Sequence, residues 1–272
     1  MDQVMSLLQS DKIVMNDSIM MDVKDLSIQF GGLKAVDAVS FSIKKNEIFG
    51  LIGPNGAGKT TVFNMLSGFY QADSGEILFA GQNITMLKPH SVNKLGAART
   101  FQNIRLFKGL TVLENVVVAM QQKHEHTWFD SLVKTEKFHK LEKELIDESI
   151  ELLKIFNLDQ YKNDQADSLP YGSQRKLEIV RALATKPTLL MLDEPAAGMN
   201  LSEKAALKDL IHFIKNKFNL TILLIEHDMK LVMNICDRIA VLHRGKKIAE
   251  GLPGDIKTLP VVIEAYLGKK VV

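Results

Sequence analysis

With one cysteine in 272 residues, Cys236, the chain can form neither an intrachain disulfide nor a cysteine-rich zinc site. Nothing here calls for an oxidising compartment, and a cytosolic setting fits best. Long apolar runs are missing as well. A membrane-spanning helix needs roughly 18 or more such residues in a row, and runs such as 188–192 meet charge or glycine within a few positions. The chain is not expected to cross a membrane by itself. Residues 1–20 carry Asp2, Asp11, Lys12 and Asp17 among Leu and Met, without the basic start and unbroken apolar stretch of a secretion signal. They are read as an N-terminal extension, helical at most over 4–8. An excess of either charge is lacking too: 34 Lys+Arg face 32 Asp+Glu, a net +2, too balanced for a surface built to hold nucleic acid. Internal repeats, low-complexity tracts and linkers long enough to separate two domains are also absent.

The composition that remains, 46% hydrophobic and 24% charged, is that of an ordinary folded protein. Its patterning alternates between strand and helix. Two short strands with a turn are expected over 21–43, where apolar residues flank Gly31-Gly32. A compact apolar strand, 48–52, runs into a glycine loop and then a helix marked by Val62, Phe63, Leu66 and Phe69. A turn at 73–75 leads to a strand at 76–79. Between Leu110 and Pro170 the spacing of Phe138, Leu141, Leu145, Leu152 and Phe156 predicts a largely helical insert. The α/β rhythm returns with Leu177, Val180, Leu183 and Ala184 on one helix face, a strand at 188–192, a helix after Ser202, a strand at 220–225 and a short strand at 241–242.

Three motifs carry chemistry. Gly53-Pro54-Asn55-Gly56-Ala57-Gly58-Lys59-Thr60-Thr61 has the form of a phosphate-binding loop between strand and helix. Glycines at 53, 56 and 58 let backbone N–H groups curl around a polyphosphate. The helix N-terminus and Lys59 supply positive charge, the Thr60 hydroxyl is suited to Mg2+, and Thr61 is a candidate for a neighbouring phosphate. The alternative, a glycine-rich turn with a solvated lysine, requires four fixed positions to coincide by chance. Asp193-Glu194 closes an apolar strand, and neighbouring strand residues point to opposite faces. The two carboxylates are therefore expected to do different work: Asp193 with Mg2+, Glu194 with the attacking water. Alone, the pair also reads as an acidic turn.

These motifs, together with Gln102 in Arg99-Thr-Phe-Gln-Asn-Ile104, the segment Leu169-Pro-Tyr-Gly-Ser-Gln-Arg175 and His227 in Ile225-Glu-His-Asp228, stand in the order seen in ATP-binding cassette (ABC) ATPases. The resemblance runs from about Met21 to the C-terminus. Phe30-Gly-Gly-Leu-Lys-Ala-Val36, Ala98-Arg-Thr-Phe-Gln-Asn-Ile-Arg-Leu-Phe107 and Leu169-Pro-Tyr-Gly look like the LivG-type ATPases of bacterial branched-chain amino acid importers.

The resemblance implies an α/β fold: an ABC-type P-loop NTPase with a RecA-like core, an N-terminal antiparallel β part and an inserted α-helical subdomain at about 103–174, all within one domain, 21–268. It implies ATP and Mg2+ as ligands, with Phe30 stacking on adenine, Gln102 reaching Mg2+ or the attacking water, and His227 bonding the γ-phosphate. Taken singly, Phe30 also reads as a strand core residue, Gln102 as a surface amide and His227 as a polar loop residue. Tyr171, Gly172 and Ser173 fall in the signature segment, which in the family covers the phosphate bound by a second subunit. Pro170 replaces the usual serine and cannot donate its hydrogen bond, so a weaker trans site is expected, with the backbone near Gly172 and a helix entered at Ser173 still facing an anion. The segment 196–200 lacks the aspartate common in the dimer loop.

The implied partners are an identical or sister ATPase, transmembrane permease subunits and, indirectly, an external solute-binding protein, with no nucleic acid. The implied location is peripheral, on the cytoplasmic face of the bacterial inner membrane. The competing reading is a soluble ABC ATPase that acts mechanically on nucleic acid or the ribosome; the charge balance and the single cassette stand against it.

Overall fold

The computed structural model describes residues 18–122 and 136–267, with 136–138 described by backbone alone. Most of the extension, including the helix read at 4–8, and the Phe138 side chain lie outside the described residues.

Two sheets organise the described residues. The first is antiparallel, in the order β2-β1-β4-β5, from β1 (Ile19–Phe30), β2 (Leu33–Lys44), β4 (Ser74–Phe79) and β5 (Gln82–Asn83). β1 and β2 are 12-residue strands joined at Gly31-Gly32, longer than the sequence suggests. Register shifts interrupt their pairing, and Asp25 (φ 47°) and Ala38 (φ 49°) adopt left-handed backbone. Each shift breaks the two-residue alternation by which a strand is read.

The second sheet contains β3 (Ile48–Ile52), β6 (Ala97–Arg99), β7 (Leu189–Asp193), β8 (Thr221–Ile225), β9 (Arg238–His243) and β10 (Lys246–Gly251), in the order β10-β9-β3-β8-β7-β6. All neighbours are parallel except the β9/β10 pair at the edge. Every residue of β3, β7 and β8 is buried, which is why these strands read as unbroken apolar runs. Successive residues of β7 enter opposite cores. Leu189 and Met191 join the antiparallel sheet and helix α1 (Lys59–Leu66), while Leu190 and Leu192 join most of the remaining helices.

The helical region comprises α2 (Pro89–Lys94), then α3 (Val112–Gln121), α4 (Glu136–Ile155) and α5 (Tyr171–Ala184). α3 starts with a reciprocal cap: the Thr111 hydroxyl accepts from the Glu114 N–H, and the Glu114 carboxylate accepts from the Thr111 N–H. α3 packs on both α4 and α5. Leu145, Leu152 and Phe156 are buried with Leu177, Val180, Leu183 and Ala184, as the spacing predicts, and Leu141 is partly buried against them. The chain continues through α6 (Leu201–Phe218), α7 (Met229–Ile235), α8 (Pro253–Ile256) and α9 (Pro260–Leu267). Asn200 caps α6 by the same reciprocal bond with Glu203.

Candidate functional site

The phosphate loop leaves β3 and turns into α1, as expected from the sequence. Two of its glycines are required by the chain itself. A Cβ on Gly53 would stand 2.2 Å from the Leu242 carbonyl oxygen, and one on Gly58 (φ 100°) would stand 2.7 Å from that of Ala35. Gly56 (φ 78°) has open space beside it. The loop thus rests on β9 and β2 and leaves its middle free for a ligand. Lys59 is buried and folds back, donating to the carbonyl oxygens of Gly53 (2.7 Å) and Pro54 (3.1 Å). Burial pushes its ammonium below the ordinary lysine pKa, against the pull of Glu194 and then Asp193. A polyphosphate would offer this cation stronger acceptors than its own loop.

A cleft of about 870 Å³ opens in front of the loop, and Phe30, 55–61, Gln102, Glu194 and His227 line it. Phe30 lies 46% exposed at the end of β1, its ring edge-on to Tyr70 with centroids 5.4 Å apart. This excludes its reading as a strand core residue. Gln102 is more than a surface amide: its Nε2 donates to Glu194 Oε2 at 3.1 Å, and His227 Nδ1 lies 3.3 Å from the same oxygen. Three residues from three loops thus meet on one carboxylate oxygen.

Asp193 and Glu194 are separated by a mechanism other than the expected one. The strand stops at Asp193, and Glu194 takes a left-handed conformation (φ 44°) whose N–H donates to the Ile225 carbonyl. A backbone kink, and not strand alternation, turns Glu194 into the cleft. Asp193 lies behind it, 3% exposed, with Oδ2 2.9 Å from Arg99 Nη2. Burial raises its carboxyl pKa, and the Arg99 guanidinium opposes the rise.

Further residues of the site carry no sequence signal of their role. Glu226 is fully buried and accepts from the Ala196 N–H at 2.8 Å and the His227 N–H at 3.2 Å, pinning the loop beyond Glu194 to the one bearing His227. Arg175, 1% exposed, donates to the carbonyls of Phe101 (2.7 Å) and Gln102 (2.8 Å) and pairs with Glu178 at 2.7 Å. Glu178 in turn accepts from the Phe101 N–H. Arg99, Arg175 and Glu226 all sat inside the quoted motifs, but only burial distinguishes them from surface charges. Lys34, in the 30–36 segment but given no role there, and Arg244, just past β9, also line the cleft.

The signature segment stands apart from this cleft. α5 begins at Tyr171, two residues earlier than the entry expected at Ser173, with Pro170 as its N-cap. Pro170, Tyr171, Gly172 and Ser173 border a separate hollow of about 460 Å³ with Met199 and Glu203. The Tyr171 hydroxyl donates to the Ala197 carbonyl at 3.3 Å.

A phosphate loop at the end of a parallel strand, faced by a carboxylate that collects an amide and an imidazole from two further loops, is matched by the sequence relationships. The family profile describing ABC transporters matches residues 36–197. This chain belongs to the ABC transporter family. It is an ABC-type ATPase cassette. The high-affinity branched-chain amino acid transport ATP-binding protein LivG of Escherichia coli K12 is 47% identical over 92% of this chain and 98% of that protein. BraF of Pseudomonas aeruginosa, described in the same terms, is likewise 47% identical over 92% of this chain. The crystal structure of an ATP-binding cassette of an ABC transporter in its ADP conformation superimposes with a TM-score of 0.80, at 31% identity, over 92% of this chain and 99% of that one.

Proposed function

We propose that this cassette hydrolyses ATP to energise an importer for branched-chain amino acids or similar amphipathic solutes. The observation that carries the reading is the Glu194 carboxylate, which accepts from Gln102 and has His227 Nδ1 3.3 Å away at the mouth of the phosphate-loop cleft. Phe30 offers an exposed ring to the adenine. The loop 53–61 offers the phosphates the Lys59 charge and backbone N–H donors, Pro54 apart. In hydrolysis, water attacks the γ-phosphorus, the bond from it to the β–γ bridging oxygen breaks, and Glu194 accepts the proton that water loses. His227 bonds the γ-phosphate, and Gln102 orients the water.

Thr60, Gln102 and Asp193 offer only hydroxyl, amide and carboxylate oxygens, the donor chemistry that suits Mg2+. The three are too few to fill an octahedral shell, so the cation would be shared with the nucleotide phosphates. When bound, it would neutralise charge on those phosphates.

Residues 21–268 are read as one unit with a helical part inserted at about 103–174. Tyr171, Gly172 and Ser173 are assigned to the phosphate of a second ATPase subunit. No helix among the described residues is long and apolar enough to cross a membrane, so attachment to the cytoplasmic face of the inner membrane falls to permease subunits, and delivery of solute to an external binding protein. The cargo follows the 47%-identical relatives, both branched-chain amino acid transport ATP-binding proteins. Uptake of labelled leucine, isoleucine and valine, measured with the gene deleted and restored, tests it. Loss on deletion and recovery on complementation is the expected outcome; uptake indifferent to the gene would remove the cargo assignment.

A further inference from the structure

Arg99 lies at the end of β6, three residues before Gln102 in the same segment, and has no task in the hydrolysis just described. Its side chain is 8% exposed, and its guanidinium reaches in two directions. Nη2 meets Asp193 Oδ2 at 2.9 Å, while Nη1 donates to Asn64 Oδ1 and to Ser67 Oγ, both at 2.7 Å. The rings of Phe63, Phe69 and Phe101 surround it, with centroids 4.7, 5.3 and 5.1 Å from the guanidinium carbon. Nε is buried without a hydrogen-bond partner. Bonded to Asp193 on one side and to Asn64 and Ser67 on the other, with three aromatic faces against it, the fork holds what it touches in one geometry, beside a hollow of about 500 Å³ that it lines with Ser67, Phe69 and Phe101.

What it touches is informative. Asn64 sits in α1, whose first turn carries Lys59, Thr60 and Thr61, and Ser67 is that helix's C-cap. Asp193 ends β7 on a separate part of the chain. Arg99 therefore fastens the far end of the helix that begins in the phosphate loop to the carboxylate behind the cleft. An isolated carboxylate this deeply buried would be costly to keep charged; with Arg99 on Oδ2 it has both a counter-ion and a fixed plane.

We propose that Arg99 is a positioning residue of the metal–nucleotide site, locking the Asp193 carboxylate and the Thr60-bearing helix into one arrangement that Mg2+·nucleotide recognises. This rests on the reading of Asp193 and Thr60 as the oxygens that face the cation. Arg99 itself touches neither nucleotide nor metal. Its loss should act through Asp193, as the loss of an outer partner of a metal ligand does.

The test measures binding, not turnover. The affinity of the non-hydrolysable imido analogue of ATP is determined by calorimetry in EDTA and in Mg2+, and the ratio of the two gives the Mg2+ gain. Arg99→Met is expected to cut that gain about tenfold or more, the range seen when an outer partner of a metal ligand is removed, while leaving the affinity in EDTA within about twofold. Arg99→Lys keeps the charge but loses the fork, and should fall between. Asn64→Leu combined with Ser67→Ala removes only the α1 end of the bridge and should also lower the gain; this pair and Arg99→Lys serve if Arg99→Met does not fold. Asp193→Asn is the reference. If it loses the Mg2+ gain while the Arg99 variants and the Asn64/Ser67 pair keep it, with only their thermal unfolding lowered, Arg99 is structural and the proposal is overturned. If Asp193→Asn also keeps the gain, the assignment of Asp193 fails first and the proposal fails with it.

Discussion

At the scale of single residues, Glu194 shows where sequence and structure part. Its identity and neighbourhood are plain in the chain, but its direction is not, because one left-handed residue (φ 44°) turns it into the cleft. Non-glycine residues occupy that region at a cost, and such strain collects where a side chain must be aimed. Removing its charge while keeping its shape isolates its role. Glu194→Gln should bind ATP as the unaltered protein does and hydrolyse it at least ~10²-fold more slowly, the usual order for losing a positioned general base. Phosphate release under saturating ATP measures this, and turnover near the unaltered rate would remove the assignment. Arg99, Arg175 and Glu226 show the converse. A charged residue inside a motif gives no sign in sequence that it is buried, and burial makes each of them a fastener.

At the scale of elements, what was legible depended on whether a strand or helix obeys a single period. β3, β7 and β8 are short, apolar and buried on both faces, and each was found within one residue of its bounds. β6 has three residues, and β10 is an edge strand with no buried residue, so neither offered a pattern. The long strands β1 and β2 were visible only in pieces because bulges reset their alternation.

A tie between α5 and the Gln102 loop lay wholly beyond periodicity. Arg175 and Glu178, one helical turn apart, hold both the N–H and the C=O of Phe101 and the C=O of Gln102. A movement of α5, which starts in the signature segment, therefore pulls on the residue that touches Glu194. Arg175→Met should cost about 3–5 kcal/mol of stability, because it leaves Glu178 buried and unpaired. Arg175→Lys keeps a charge there and isolates the geometry. It is expected to lower kcat severalfold with KM nearly unchanged, since the phosphate loop is untouched; equal changes in both would show that α5 does not govern the Gln102 loop. Steady-state kinetics beside a thermal melt separates the two effects.

At the scale of the whole molecule, the site is one-sided. Phosphate loop, Glu194, Gln102 and His227 share one cleft, whereas Tyr171, Gly172 and Ser173 border another. Gly172 has no steric reason of its own to be glycine, for a Cβ there would meet nothing within 4 Å and its φ is not positive. In the proposed assembly the open space beside it takes the second subunit's phosphate. Two copies related by a two-fold axis would bring each signature segment over the other's phosphates, and an isologous interface of that kind closes on itself. The first-turn N–H groups of α5 would then meet the anion, without the hydroxyl that Pro170 lacks. This predicts a dimer that depends on trapped nucleotide. Glu194→Gln, which should retain ATP, is expected to run as a monomer without nucleotide and as a dimer with Mg2+ and ATP, by size-exclusion chromatography with light scattering. Adding Gly172→Val should leave thermal unfolding and ATP binding to the single chain in place while abolishing the dimer, because its side chain occupies the room reserved for the neighbour. A double variant that still dimerises with ATP would mean that the signature segment does not face the second subunit's phosphate.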